Sequence, residues 1–358
     1  MNEEHQRRPH YSGSHPHTYE EKYKELQPEK YADTVEKVIA KGSTPAGMHL
    51  PIAVDEILDV LKIKSGESGI DCTLGYGGHT RAMLAKLDGQ GHLCGLDVDS
   101  VNLARTAGML REEGFGDDVF TPLHLNFSAV DEAAEKYGPF DFLLADLGVS
   151  SMQLDDPKRG FSWKREGPLD LRLDPASGMT AAQRLKTMEC DELEGMLVTN
   201  ADEPYAAEIA GAITAALKKG EPVNTTAQLR KLVEAGVKNA LAHEERELHG
   251  DHRRKAEIEE LVRGSCQRTF QALRIDINGE YEALQALLEK LPAVLREGGR
   301  AAFLTFHSGE DRIVKKELKR LHREGLLSEI PDDVTRPSAE EMERNPRARS
   351  AKLRWAIR

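Results

Sequence analysis

Asp71-Cys72-Thr73-Leu74-Gly75-Tyr76-Gly77-Gly78-His79-Thr80-Arg81 decides how the rest of the chain is read. The apolar run Ile70–Leu74 stops at three glycines within four residues, and a helical pattern of Ala82, Met83, Leu84 and Leu87 starts directly behind them. That order is strand, tight turn, helix. Glycine serves where the backbone takes positive φ or approaches a ligand closely, and the free N–H groups opening a helix favour an anionic group. The turn reads either as the floor of a nucleotide site or as a glycine turn with no ligand. It does not meet the dinucleotide fingerprint G-x-G-x-x-G, because Thr80 stands in the place of the third glycine.

The next apolar run, Gly91–Leu96, ends in Asp97, with Asp99 two residues on. A carboxylate about 20 residues beyond such glycines, at a strand's carboxyl end, is placed to accept from both ribose hydroxyls of an adenosine. Two βα units punctuated this way predict a doubly wound sheet with its ligand across the strand ends. A third strand, Val119–Leu125, leads to Asn126-Phe127-Ser128, where Ser128 is the expected N-cap of the next helix. Phe127 reads as a cover for an adenine face or as core. The fourth strand, Phe140–Ala145, delivers Asp146-Leu147-Gly148-Val149-Ser150-Ser151 to the same edge. Asp146 is then either a catalytic carboxylate or a helix cap.

The alternation stops there. Residues 153–262 read as a helical insertion suited to recognising a substrate, and strand and helix return over 263–358. In that last part a long helical region runs from Arg268 through Leu295 and is ended by Gly298-Gly299. A strand Arg300–Phe306 follows, and Lys352–Arg358 alternates as an edge strand does. Residues 1–46, with His5, His10, His15 and His17 among Arg, Pro and Ser, have no core composition and read as a flexible extension holding one short helix at Tyr31–Ala40. Order is expected from His49-Leu50-Pro51 onward, with a helix carrying Ile52, Val54, Ile57, Leu58 and Leu61 over the ligand end of the sheet. The expected organisation is therefore an extension (1–46), one α/β domain (47–152 and 263–358) and an insertion (153–262).

Composition sets outer limits. The chain has 358 residues, 39% hydrophobic and 31% charged, with neither a run of about 20 apolar residues nor an apolar signal-peptide core. A cytoplasmic protein with no membrane partner is expected. Cys72, Cys94, Cys190 and Cys266 make no C-x-x-C pair, which predicts reduced thiols. No metal site is expected, because His243, His249 and His252 lack ligand spacing and lie in a solvated charge run. A net charge of −12 speaks against nucleic acid, but Arg312–Arg358 holds 13 Lys/Arg against 8 Asp/Glu, and from Arg344 onward 6 basic residues meet no acid. That segment is a basic face for RNA or a solvated helix.

With these motifs in place, the sequence resembles the bacterial RsmH (MraW) family, which methylates the exocyclic N(4) of a cytidine in the decoding centre of 16S ribosomal RNA. The resemblance runs through Gly77-Gly78-His79, Asp146-Leu147-Gly148-Val149-Ser150-Ser151-Met152-Gln153, Arg159-Gly160-Phe161-Ser162, Gly167-Pro168-Leu169-Asp170-Leu171-Arg172, Arg268-Thr269-Phe270-Gln271-Ala272-Leu273-Arg274, Phe306-His307-Ser308 and Asn345-Pro346-Arg347-Ala348-Arg349-Ser350. It implies an α/β class I S-adenosylmethionine-dependent methyltransferase fold, a Rossmann-like doubly wound sheet with an antiparallel last strand and an inserted helical subdomain. It also implies S-adenosylmethionine contacts at Gly77, Gly78, His79, Asp97, Phe127, Asp146 and Gln153. The implied partner is 16S ribosomal RNA within the small ribosomal subunit, and a homo-oligomer is left open. The chain departs from the family pattern in its extension, in Gly309 where Leu is usual, in Ser265-Cys266-Gln267 before Arg268, and around Leu50-Pro51-Ile52-Ala53-Val54. Those departures suggest a paralogue.

Cytosine's amine is a poor nucleophile because its lone pair is delocalised into the ring. An acceptor for one amine hydrogen localises that pair, and Asp146, with the carbonyls of Leu147–Val149, is the expected acceptor and catalytic residue. DNA amino-methyltransferases carry Asp-Pro-Pro-Tyr at this place; the aromatic is missing here, so Phe161 or Trp163 is expected to stack on the extruded base. Arg268, Arg274, Arg312, Lys315, Arg347 and Arg349 are expected either on phosphates or in structural ion pairs. Two other readings compete. A nicotinamide-dependent dehydrogenase would use the same turn and Asp97 but not the Asp146 loop, and a non-catalytic RNA-binding assembly factor would not need Asp97, Asp146 and Gln153 together.

Overall fold

The strands feed two helical layers in strict alternation. A computed structural model describes residues 51–247 and 255–358, with the side chains of 244–247 left out. Strands β1 (Ser68–Asp71), β2 (His92–Asp97), β3 (Phe120–His124), β4 (Phe140–Asp146), β5 (Leu295–Thr305) and β6 (Lys352–Ile357) lie in the order β3-β2-β1-β4-β5-β6. Neighbours pair in parallel except β5 with β6, whose antiparallel register runs from Arg300↔Ile357 to Thr305↔Lys352. This is the doubly wound sheet with an antiparallel last strand that the sequence led us to expect. Chain order reverses between β1 and β4, so the ligand crevice lies beyond the carboxyl ends of those two strands.

Helices α1 (Val54–Leu61), α2 (Gly78–Leu87), α3 (Ser100–Glu112) and α4 (Val130–Tyr137) accompany the first four strands. The helical stretch after β4 comprises α5 (Ser151–Asp155), α6 (Ala181–Leu185), α7 (Cys190–Ala201), α8 (Ala206–Lys218), α9 (Thr226–Glu247), α10 (Lys255–Asn278) and α11 (Glu280–Val294). Helix α12 (Ser308–Arg323) follows β5, and α13 (Ala339–Arg344) precedes β6. On one face of the sheet Ile70, Cys94, Leu96, Leu143, Ala145, Ala301 and Phe303 pack against α4, α11 and α12. On the other Leu93, Phe142, Leu144, Ala302 and Leu304 pack against α1, α2 and α3. Burial on both faces is what a parallel sheet demands, and the period-two split shows in each strand.

A third core sits in the insertion, where Leu193, Leu197, Ile209, Ile213, Val233, Val237, Phe270 and Leu273 are buried together. The expected boundary at 262 falls inside α10, which crosses it unbroken. Val262, Cys266, Phe270 and Leu273 on one helix fill this core, so the lobe extends to Asn278. Pro51–Arg358 is nevertheless one unit, and the lobe is part of it.

Other expectations shift for local reasons. Asn126, not Ser128, supplies the cap: its Oδ1 accepts from Ser128 N at 2.9 Å in a 3-10 turn before α4. The long helical region breaks at Gly279, whose φ of 56° separates α10 from α11. Gly298-Gly299 does not end a helix but lies in β5, where the register jumps from Phe140↔Leu295 to Phe142↔Arg300. The extension 1–46, its short helix, His249 and His252 lie outside the described residues. Cys72, Cys94 and Cys266 are free and buried, and burial pushes the Cys94 and Cys266 thiols up to about 12. No helix among the described residues is long and apolar enough to cross a membrane.

Candidate active site

The glycine turn is held from behind by α3. Gly75 and Gly77 take φ of 51° and 75°, and a Cβ on Gly77 would lie 2.9 Å from Thr106 Cγ2. Both conditions ask for glycine. Asn102 Nδ2 and Thr106 Oγ1 donate to the Gly75 carbonyl at 2.8 and 2.7 Å. Asn102 and Thr106 are buried polar residues four apart on the inward stripe of α3. That spacing among Leu103 and Leu110 was the signal for them, and the sequence reading passed over it.

Asp97 closes the turn from β2. Its Oδ2 accepts from Gly75 N at 3.1 Å and Asn102 Nδ2 at 2.9 Å, and its Oδ1 accepts from Asp99 N at 2.9 Å. Burial pushes its pKa up, against those three bonds. A carboxylate has about four acceptor positions, so three protein donors leave room for one ribose hydroxyl rather than a pair. Asp99 caps α3 through Val101 N and Asn102 N, and its Oδ2 pairs with Arg159 Nη1 at 2.6 Å. Arg159 also donates to the carbonyls of Arg172 and Leu173, tying the first loop of the insertion to the cofactor strand.

Asp146 stands one strand over and touches the same turn. Its backbone N donates to Thr73 Oγ1 at 2.7 Å, and its Oδ2 lies 3.4 Å from His79 Nδ1. Its Oδ1 is buried with no partner. The buried His79 ring also reaches the Ile52 carbonyl through Nε2 at 3.0 Å, so neither ring nitrogen is left for a cofactor. Below it Asp71 is fully buried, with its pKa raised by desolvation against a 2.6 Å bond from Thr80 Oγ1. Gln153 shares a capping box with Ser150: its Oε1 accepts from Ser150 N at 2.9 Å, which leaves its Nε2 end for a ligand. Phe127 is half-buried against the core beneath β2 to β4.

Beside Asp146, Gly148 is exposed at the tip of the loop, with Glu310 behind it. Glu310 Oε2 accepts from Phe306 N at 3.0 Å, and His307 Nε2 is 2.9 Å from Oε1. Burial pushes the Glu310 pKa up, but His307, Arg274 and the Phe306 N–H bring it below the usual range. This buried pair braces the loop and was not singled out from the sequence.

Several expected contacts are committed elsewhere. Phe161 is 5% exposed within the lobe core, with Arg159 over its ring at 5.6 Å, so it does not stack on a base. Trp163 lies half-buried with Arg230 5.3 Å from its centroid. Arg268 bonds the wholly buried Glu203 at 2.8 Å and joins Ser265, and Arg274 holds Glu280 through two bonds of 2.8 and 2.9 Å. Those two arginines bind the lobe together rather than phosphates. Arg312, Lys315, Arg347 and Arg349 are exposed.

Gly309 has a packing reason. A Cβ there would lie 1.8 Å from Tyr281 Oη, which donates to the Asn200 carbonyl at 3.0 Å. Gly309→Ala is expected to cost about 1–3 kcal/mol in chemical denaturation, and Tyr281→Ala in the same chain to recover part of it. Equal losses with and without Tyr281 would sink this account.

Residues 46–358 match the family model described as the MraW methylase family. A relative named ribosomal RNA small subunit methyltransferase H 1, from Lachnoclostridium phytofermentans, is 57% identical over 99% of this chain and 93% of its own length. Another, ribosomal RNA small subunit methyltransferase H 2 from Alkaliphilus metalliredigens, is 56% identical over 99% of this chain and 98% of its own. A third, ribosomal RNA small subunit methyltransferase H from Nitrosomonas eutropha, is 35% identical over 86% of this chain and 96% of its own. The first two alignments take in nearly the whole extension, and the third leaves out a share about as long as it.

Proposed function

Because the chain belongs to the MraW methylase family, we propose that it transfers a methyl group from S-adenosylmethionine to the exocyclic N(4) of a cytidine in 16S ribosomal RNA, near the decoding centre. It is a methyltransferase of small-subunit ribosomal RNA. The observation that carries the finer reading is the unpartnered, buried Oδ1 of Asp146 beside a turn built for a nucleoside.

The residues present fit the donor. Gly77 and Gly78 give a backbone cradle, Asp97 keeps one acceptor position for a ribose hydroxyl, Gln153 keeps its Nε2 end, and Phe127 lies where β3 ends. When bound, S-adenosylmethionine supplies an electrophilic methyl group on a positively charged sulfur. The chain's own work is then to hold the amine in line and to draw one of its hydrogens onto Asp146 Oδ1, so that the nitrogen lone pair is free to attack. The carbonyls of Leu147–Val149 offer further acceptors to the same amine.

RNA would lie across the exposed Arg312, Lys315, Arg347 and Arg349, with the helical lobe beside them as recognition element. The assembled small subunit is the proposed partner and the cytoplasm the proposed compartment. Replacing Arg347 and Arg349 by alanine is expected to lower RNA affinity and to reduce the slope of log affinity against log salt by about two. An unchanged slope would take this arm off the RNA.

Purified protein, small ribosomal subunits and labelled S-adenosylmethionine, followed by mass spectrometry of the digested RNA, test the reading as a whole. The expected product is one N(4)-methylated cytidine. Methylation on another base or on a ring carbon, or none, overturns it.

A further inference from the structure

Both nitrogens of the His79 ring are engaged, and their partners dictate its protonation. Nε2 lies 3.0 Å from the Ile52 carbonyl oxygen, an atom that only accepts, so Nε2 carries a hydrogen. Nδ1 lies 3.4 Å from Asp146 Oδ2. A neutral ring would turn a lone pair there toward the lone pairs of a carboxylate. The contact becomes attractive with a second hydrogen on Nδ1, and the ring is then an imidazolium.

Resting on the methyltransferase reading above, we propose that His79 is a positioning residue for methyl transfer: as an imidazolium it grips Asp146 through Oδ2 and keeps Oδ1 an ionised, open acceptor for the cytosine amine. The pieces are arranged for this. The carboxylate is pinned on its backbone side by Thr73, on one oxygen by His79, and on the other by nothing. The ring sits at the start of α2, and the adjacent backbone at Ile52–Ala53 is itself tied down, because Ala53 N donates to both oxygens of Glu341 at 3.1 Å. The other charges acting on the ring are carboxylates: Asp71 at the end of β1 and Glu341 on α13. Arg81, two residues further along α2, is turned away to Glu113 and the Tyr76 carbonyl. Burial works against a charged ring, but the bond and charge of Asp146, the Ile52 carbonyl and Asp71 outweigh it, and the pKa is raised above the usual histidine value.

In the transfer, the N–C bond forms as the methyl carbon's bond to sulfur breaks, with that electron pair left on sulfur. The amine nitrogen sheds one proton to Oδ1, and the proton later passes to solvent. His79 keeps both of its hydrogens throughout. Its effect is to fix which oxygen is free, and to make the other one unavailable as an alternative proton site.

Two substitutions separate this role from a cofactor contact. The amide nitrogen of an asparagine falls near the place of Nδ1 and that of a glutamine near Nε2. His79→Asn therefore keeps the donor to Asp146, and His79→Gln keeps only the donor to Ile52. With the full chain and small subunits, His79→Gln is expected to lower kcat about 100-fold, and His79→Asn about tenfold or less. By calorimetry, S-adenosylmethionine affinity should stay within about threefold in both. Because the charged ring is the working form and its pKa is raised, activity should fall as pH rises through that value in the wild type, and His79→Asn should lack this limb. Nitrogen-15 NMR of the donor-free wild type should find hydrogens on both ring nitrogens at neutral pH. A singly protonated ring, a wild-type kcat in His79→Gln, or lost donor affinity with kcat intact each overturns the inference. A wild type that transfers no methyl to small subunits overturns instead the reading on which it rests, and the NMR spectrum then decides by itself whether the ring is charged against Asp146.

Discussion

Asp146→Ala is expected to lower kcat for methylation of small-subunit RNA by about 1,000-fold while S-adenosylmethionine still binds. The variant removes the one buried acceptor at the strand ends that no protein donor fills. Without it the amine keeps its lone pair in the ring, and the proton it must lose has no receiver closer than water. Little else should change. The Asp146 backbone bond to Thr73 does not need the side chain, and the sheet register of Asp146 with Leu304 is set by the backbone. Asp146→Asn keeps the shape but offers no site basic enough for the proton, so a comparable fall is expected. Single-turnover methylation and donor calorimetry on the same preparations check both variants. A rate within about tenfold of the wild type would remove Asp146 from the chemistry.

Asp97→Ala should act on binding instead. We expect donor affinity to fall about 100-fold, close to 3 kcal/mol, with kcat at saturating donor within a few-fold of the wild type. Two losses combine: the ribose loses its carboxylate, and Gly75 N, Asn102 Nδ2 and Asp99 N lose their shared acceptor. Asn102→Ala tells them apart, since it loosens the turn and leaves the carboxylate in place. It should cost about tenfold in affinity, and equal losses in the two variants would mean that Asp97 serves the turn and not the ribose.

The parts of the site legible in the sequence are those that local chemistry writes into consecutive residues. Gly75 to Gly78 announce a turn because only glycine tolerates its dihedrals. Asp97 and Asp146 stand out because each ends an apolar run. The antiparallel final strand shows in the alternation of Lys352–Ile357. What escaped notice is written between distant residues. Nothing near Arg268 reveals that Glu203 waits for it in a dry pocket, and nothing near Gly309 points to the Tyr281 hydroxyl. His79 and Asp146 meet only because β1 and β4 are neighbours, and that pairing is a property of the whole sheet. Phe161 was misjudged for a related reason: a lone aromatic in a polar loop looks free until the lobe closes over it.

The lobe between β4 and β5 also governs how the molecule comes into being. During synthesis β1 to β4 emerge first and can pair, but β4 then presents a bare edge of backbone groups until residues 147–294 have followed and β5 arrives. Asp146 lies on that edge. Its loop has no Glu310 behind it, and no closed crevice, until the late strand docks. A long wait before a non-local pairing slows folding and leaves a sticky intermediate, so a nascent chain of this architecture has reason to depend on chaperones and cannot modify anything before its last third is made.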